Sequence, residues 1–125
     1  ADLLVLLEAT ARGELASLPP IDWLPGACVG VVLASGGYPG AYTTGHPIDG
    51  IDALPEGGIV FQAGTTRRGT DTVTAGGRVL TCVGLADEMA AARVLAYATA
   101  DAITFDGAYR RGDIALREVR RRDGG

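Results

Sequence analysis

Three glycine pairs, Gly36-Gly37, Gly57-Gly58 and Gly76-Gly77, punctuate this chain between short apolar runs. Glycine reaches positive φ without a steric penalty, so such pairs belong in tight turns. The 19 glycines of the 125 residues follow no collagen-like or low-complexity period, which leaves short strands joined by turns as the economical reading. The length suits one domain, and 47% hydrophobic residues supply a modest single core.

The run from Ala27 to Ala34 is nearly all apolar and rich in valine, and predicts a buried strand. It ends in Ser35-Gly36-Gly37-Tyr38-Pro39-Gly40, which fits neither helix nor regular strand. Ile59, Val60 and Phe61 predict a second strand, stopping at Gly64, with short extended pieces at Tyr42 to Thr44 and Ile48 to Ile51. Thr70 to Thr74 and Arg78 to Gly84 predict a hairpin about Ala75-Gly76-Gly77. Ile103 to Phe105 adds a further strand, and Asp113 to Val119 suits strand or helix.

Two helices complete the pattern. Asp2 can cap one running to about Arg12, with Leu3, Leu6, Leu7, and Thr10 with Ala11, at helical spacing and Gly13 as its stop. Leu4 and Val5 make that helix apolar on most sides, so it needs more cover than a small domain supplies. Asp87 can cap an alanine-rich helix reaching about Ala100, with Ala91, Val94, Leu95 and Ala98 as its apolar face. Between Leu18 and Gly26 three prolines mark a linker, which Trp23 would staple to a core. The expected fold is α+β, mainly an antiparallel sheet or partial barrel with one main packed helix. It divides into residues 1–24 (terminal helix and linker), 25–119 (the domain) and 120–125 (a disordered tail holding Arg120, Arg121 and Arg122). Ala1 opens inside a helical pattern, as a fragment would.

Net charge of −4 argues against general nucleic-acid binding, and all eleven basic residues are arginine. Without lysine there is no P-loop lysine and no Schiff base. Cys28 and Cys82, with one histidine, cannot make an ordinary zinc site, and both read as buried free thiols of a reducing compartment. No stretch reaches transmembrane length, and no signal peptide is visible.

The loop of Gly36, Gly37, Tyr38, Pro39 and Gly40 is the most unusual local feature. Its glycines allow close approach of another chain or a ligand, and free amides there suit an anion. A tight turn with a packed tyrosine is the plainer account. His46, beside Pro47 and Asp49, lacks a partner nucleophile and reads as a surface residue. Asp49, Asp52 and Glu56 read as solvated charges rather than a metal site. Arg67, Arg68 and Asp71 read as decoration of a hairpin turn. The cluster Arg110-Arg111-Gly112-Asp113 suits an internal ion pair or a phosphate contact, with the ion pair the plainer account, and Arg111, Asp113 and Arg117 suit a structural ion pair or a domain contact.

Taken in order, these segments resemble a known family. Ala34-Ser35-Gly36-Gly37-Tyr38-Pro39-Gly40, then Tyr42 and Gly45, then Val60-Phe61-Gln62-Ala63-Gly64-Thr65, Gly76-Gly77-Arg78-Val79-Leu80 and Arg111-Gly112-Asp113-Ile114-Ala115-Leu116-Arg117 are similar to the C-terminal domain of glycinamide ribonucleotide synthetases. The similarity runs from about Val29 to Arg117. The chain departs from the family pattern at Gln62 (usually histidine), Ala75 (commonly asparagine), Gly112 (normally basic) and Ala115 (usually glycine). The resemblance implies a fold like the C-terminal domains of biotin carboxylase and related ATP-grasp enzymes. It implies a whole enzyme that joins 5-phosphoribosylamine and glycine in de novo purine synthesis, using ATP and magnesium held by domains outside this chain. Gly36 to Gly40 would then help wall the active site, with no catalytic residue and no metal ligand here. The remaining N-terminal and ATP-grasp domains would be its partners, in the cytoplasm. A stand-alone β-rich binding or assembly module, and the C-terminal domain of a different ATP-grasp enzyme, are the other readings.

Overall fold

Alternation of side chains along Ala27–Ser35 (β1) sends Val29, Val31 and Leu33 into the core and Cys28, Gly30 and Val32 to the opposite side, as a pleated strand must. The computed structural model, which describes residues 2–123, pairs β1 antiparallel with Arg78–Ala86 (β5), setting Val31 against Cys82 and Leu33 against Leu80. Gly58–Gln62 (β2) lies on the far side of β5, and the two-residue strand Ala108–Tyr109 (β6) extends β1. The sheet order is therefore β2-β5-β1-β6. Thr65–Arg68 (β3) and Asp71–Thr74 (β4) form a separate two-stranded ribbon. The expected α+β, antiparallel architecture is the observed one.

One helix covers one face. Met89–Asp101 (α2) lies across β5 and β1, and its Ala92, Ala96 and Ala100 join Val29, Val31, Leu33, Leu80 and Cys82 in a single core. Full burial of each such valine or leucine stabilises the fold by about 1.5–3 kcal/mol. The buried side of α2 is not the one expected. Ala91, Val94 and Ala98 are exposed, and Ala92, Ala96, Thr99 and Ala100 are buried. The cap is Glu88 rather than Asp87, with no side-chain hydrogen bond. The reason is Gly84, which faces the helix and admits its backbone only where alanine, not valine, lies against the sheet.

At Leu33/Ala34 the register shifts: Leu33 pairs with Leu80 but Ala34 with Arg78, so Val79 is an extra residue. Val79 and Leu80 are both fully buried. A bulge of this kind turns two successive side chains to the same side and re-aims the next one. It therefore places Arg78 on the face away from α2.

The predicted hairpin about Ala75-Gly76-Gly77 is not formed. β4 pairs with β3 through the two-residue loop Gly69-Thr70, where Gly69 takes φ +64°. Residues 75–77 instead carry the chain from ribbon to main sheet, held by Ala75 N–H to Gly64 O at 2.7 Å and Ser35 N–H to Gly77 O at 2.8 Å. Glycine pairs signal a turn but not which strands it joins. Ile103 to Phe105 contributes a single bridge, Thr104 to Asp49, and Ile48 to Ile51 no more than that bridge's other half; Tyr42 to Thr44 is irregular.

The first helix, Leu3–Arg12 (α1), is as expected: the Asp2 side chain accepts from Leu4 N–H at 2.8 Å, and Gly13 closes it at φ +72°. Ala9 is its one buried residue, while Leu3, Leu4, Val5 and Leu7 are exposed. Trp23 staples nothing, being 78% exposed. Cys28 is exposed, on the outer side of β1, whereas burial pushes the Cys82 thiol up to about 11 against a smaller lowering by Arg110. Residues Leu116–Asp123 form α3, so the arginine run continues a helix at least to Asp123; residues 124 and 125, part of the expected tail, lie outside the described residues. No helix among the described residues is long and apolar enough to cross a membrane.

Among the described residues the other face of the main sheet is largely uncovered, although Val83 there is buried. Cys28 and Val32 of β1, Leu85 of β5, and Ile59 and Phe61 of β2 are exposed there, Phe61 to 60%. The chain exposes 8333 Å² in total, against roughly 6,300 Å² for a compact monomer of this size.

Candidate functional site

The Gly36 to Gly40 loop leaves β1 at the rim of this open face. Tyr38 N–H bonds back to Ser35 O at 3.0 Å, and the Ser35 hydroxyl donates to Gly76 O at 2.9 Å. Gly37 sits at φ +94° with Ala41 O pressed so close that a Cβ would lie 2.2 Å from it, so no other residue fits there. Tyr38 precedes Pro39 through a cis peptide bond. Its ring lies on Gly77, where a Cβ would stand 2.1 Å from Tyr38 Cδ2. Tyr42 meets it edge-on at 6.0 Å between centroids. All five residues of the loop are solvent-exposed rather than sealed in the core, Tyr38 at 38%.

Tyr38 and Gly77 border a 450 Å³ hollow whose other walls are Val32, Ala63, Arg78 and Thr81. Reading along the chain singled out Tyr38; Arg78 appeared there only as part of a motif. Nothing local in the sequence marks it, because the bulge that turns it outward depends on pairing with β1. A second hollow of 510 Å³ lies between α1, the linker and the sheet margin, lined among others by Leu3, Leu6, Trp23, Leu24, Cys28 and Leu85. It continues the apolar outer face toward α1.

The other candidates lie apart. Arg111 donates twice to Asp113, at 2.8 and 2.6 Å, and the exposed pair holds the Asp113 carboxyl below the usual carboxylate range. Arg117 is exposed, with no ion pair among the described residues. What latches this segment to the body is α2. The Tyr97 hydroxyl donates to Arg111 O at 2.7 Å and accepts from Ile114 N–H at 3.2 Å. Arg93 donates to Ile114 O and Gly112 O while lying 4.6 Å from the Tyr97 ring centroid. Reading from the sequence missed Tyr97 and Arg93, since backbone carbonyls as partners leave no trace in residue types.

His46 bonds the Thr43 hydroxyl through Nε2 at 2.8 Å, and its Nδ1 stands 3.7 Å from an Asp106 carboxylate oxygen. Among the described residues no group of three or more histidine, cysteine, aspartate or glutamate side chains is placed to hold a metal.

Ala115 occupies φ +61°, the only non-glycine residue with positive φ among those described. Left-handed backbone costs an L side chain about 1–2 kcal/mol, and glycine's looser unfolded chain returns part of that. Ala115→Gly is therefore expected to stabilise the domain by about 0.5 kcal/mol. A urea midpoint that falls in this variant would contradict the strain account.

Known proteins bear out the resemblance to the synthetase C-terminal domains. The family model described as "Phosphoribosylglycinamide synthetase, C domain" matches residues 28–117. The phosphoribosylamine–glycine ligase of Neisseria meningitidis serogroup A is 44% identical over 122 residues, 97% of this chain and 29% of that protein. The ligase of Pseudomonas syringae pv. tomato is 42% identical over 123 residues, again 97% of this chain and 28% of that protein. In the crystal structure of the Thermotoga maritima ligase, the matched part has a TM-score of 0.70 and 36% identity, covering 86% of this chain and 27% of that one. This chain thus spans under a third of the length of these relatives. With the family model spanning residues 28–117 and relatives above 40% identity over nearly all of it, the chain belongs to the phosphoribosylglycinamide synthetase C-domain family.

Proposed function

We infer that this chain serves as the C-terminal domain of a phosphoribosylamine–glycine ligase, an ATP-dependent enzyme of purine synthesis that joins 5-phosphoribosylamine to glycine in the cytoplasm. Its role is to wall the active site. The observation that carries the reading is the open outer face of the sheet, with Val32, Ile59, Phe61 and Leu85 exposed. An apolar surface of that extent marks a contact with another body. A ligase whose other domains seat on this face would bring the Gly36 to Gly40 loop to the junction. A stand-alone module would cover the face or fold α1 fully back on it, and α1 keeps Leu3, Leu4 and Leu7 exposed.

The division of labour has a physical motive. A carboxylate activated by phosphoryl transfer hydrolyses if water enters, so a domain that excludes water serves the chemistry without touching the reacting atoms. ATP and magnesium would be held by domains outside this chain, which itself supplies no lysine. Arg111, Asp113 and Arg117 would lie at a domain contact or stabilise the chain end.

Two measurements test the reading. The full-length protein is expected to release ADP only when both glycine and phosphoribosylamine are present. The isolated segment is expected to give no heat with MgATP. Micromolar MgATP binding by the segment alone, or no ligase turnover by the full-length protein, would refute it.

A further inference from the structure

The bulge at Val79 has a chemical consequence at the rim of the open face. It turns Arg78 outward between Tyr38 and Thr81, into the 450 Å³ hollow. Five other arginines have partners: Arg12 with Glu8, Arg93 with backbone carbonyls, Arg110 with Asp101, Arg111 with Asp113, and Arg121 with Glu118. Like Arg67, Arg68 and Arg117, Arg78 has no carboxylate or carbonyl partner among the described residues; its hollow, unlike the one Arg67 borders, has no carboxylate in its lining. Bulges recur beside binding sites because they re-aim one side chain while the strand continues.

The geometry points to Arg78 as the anion-binding group of a sugar-phosphate subsite, with the Tyr38 ring, Val32 and Ala63 as its walls and the Thr81 hydroxyl as a further polar contact. This rests on the ligase reading and extends it to one substrate, the phosphorylated sugar amine. Guanidinium matches a phosphate monoester through two parallel N–H···O bonds, and arginine is this chain's sole basic residue type apart from one histidine. The hollow is far larger than glycine requires, and its aromatic and aliphatic walls suit a ribose ring. It lies where a docking domain would close it, as ligand sites commonly lie between domains.

The test uses the full-length ligase. Arg78→Met keeps the aliphatic stem and removes the charge. It is expected to raise KM for phosphoribosylamine about 30-fold, as loss of a charge-assisted contact would, with KM for ATP and for glycine within about twofold. Arg78→Lys is expected to recover part of that loss. Ribose 5-phosphate, used as a competitor in calorimetry, should bind wild type and lose affinity in the methionine variant. An unchanged KM for phosphoribosylamine, or an equal rise for all three substrates, would overturn the assignment. Absence of turnover in wild type together with Arg78-dependent binding of ribose 5-phosphate would instead refute the ligase reading and support the subsite.

Discussion

Replacing Gly84 by alanine is expected to cost the domain about 3 kcal/mol, the upper part of the range for an overfilled core. A Cβ at this position would stand 2.3 Å from Ala92 O, 2.5 Å from Ala96 N and 2.9 Å from Leu95 Cβ. Two of those atoms are helix backbone and the third is a Cβ, so no rotamer change relieves the clash. Helix α2 must lift away, and the contacts of Ala92 and Ala96, both fully buried, go with it. Domains of this size hold about 5–15 kcal/mol in total, so the loss is a large share. In urea the midpoint should fall by about 1–2 M if unfolding has the usual slope for a small domain. Gly30 is the internal control. It sits in the neighbouring strand on the opposite face, where the nearest atom to an added Cβ is Thr81 Cγ2 at 3.4 Å. Gly30→Ala should therefore be neutral or slightly stabilising, since glycine inside a strand is entropically costly. A Gly84→Ala loss under about 1 kcal/mol would show that α2 is not held against the strand as described.

Placing aspartate at both Phe61 and Leu85 is expected to separate folding from function. Both side chains are exposed on the outer face, Phe61 at 60% and Leu85 at 47%. In the isolated segment the double variant should change stability by less than about 1 kcal/mol, because exposed sites carry little packing. It should also reduce self-association. In the full-length ligase the same two carboxylates would be buried without partners when the other domains seat there, and each unpaired charge costs several kcal/mol. Ligase activity should fall by about 100-fold or more, and protease should reach the linker near Pro19 and Pro20 more readily. Wild-type activity in that variant would show that the face is not the docking surface.

The architecture was legible because its signals are local. The alternation in Ala27 to Ala34, the Asp2 and Gly13 caps and the positive φ at Gly37 follow from residue types a few positions apart. The family resemblance was legible for a related reason: the GGYPG loop and the Ala63-Gly64-Thr65 segment are short ungapped words. The misplaced features have the opposite character. Trp23 reads as a core residue on composition, yet its environment depends on what lies beyond β1. Val94 outranks Ala92 on any hydrophobic scale, yet Gly84 opposite selects alanine for the buried side.

By itself the sequence determined the α+β class, the two helix caps, the principal strand, the loop at Gly36 to Gly40 and the family. Those depend on backbone preferences and on side-chain periods that neighbouring residues set. Only the tertiary structure decided which strands the glycine pairs connect, which side of α2 is buried, that Tyr97 and Arg93 latch the chain end, and that Arg78 shares a hollow with Tyr38. Each of those depends on contact between residues distant along the chain, where sterics at one glycine or one extra residue in a strand reverse what hydrophobicity alone would choose.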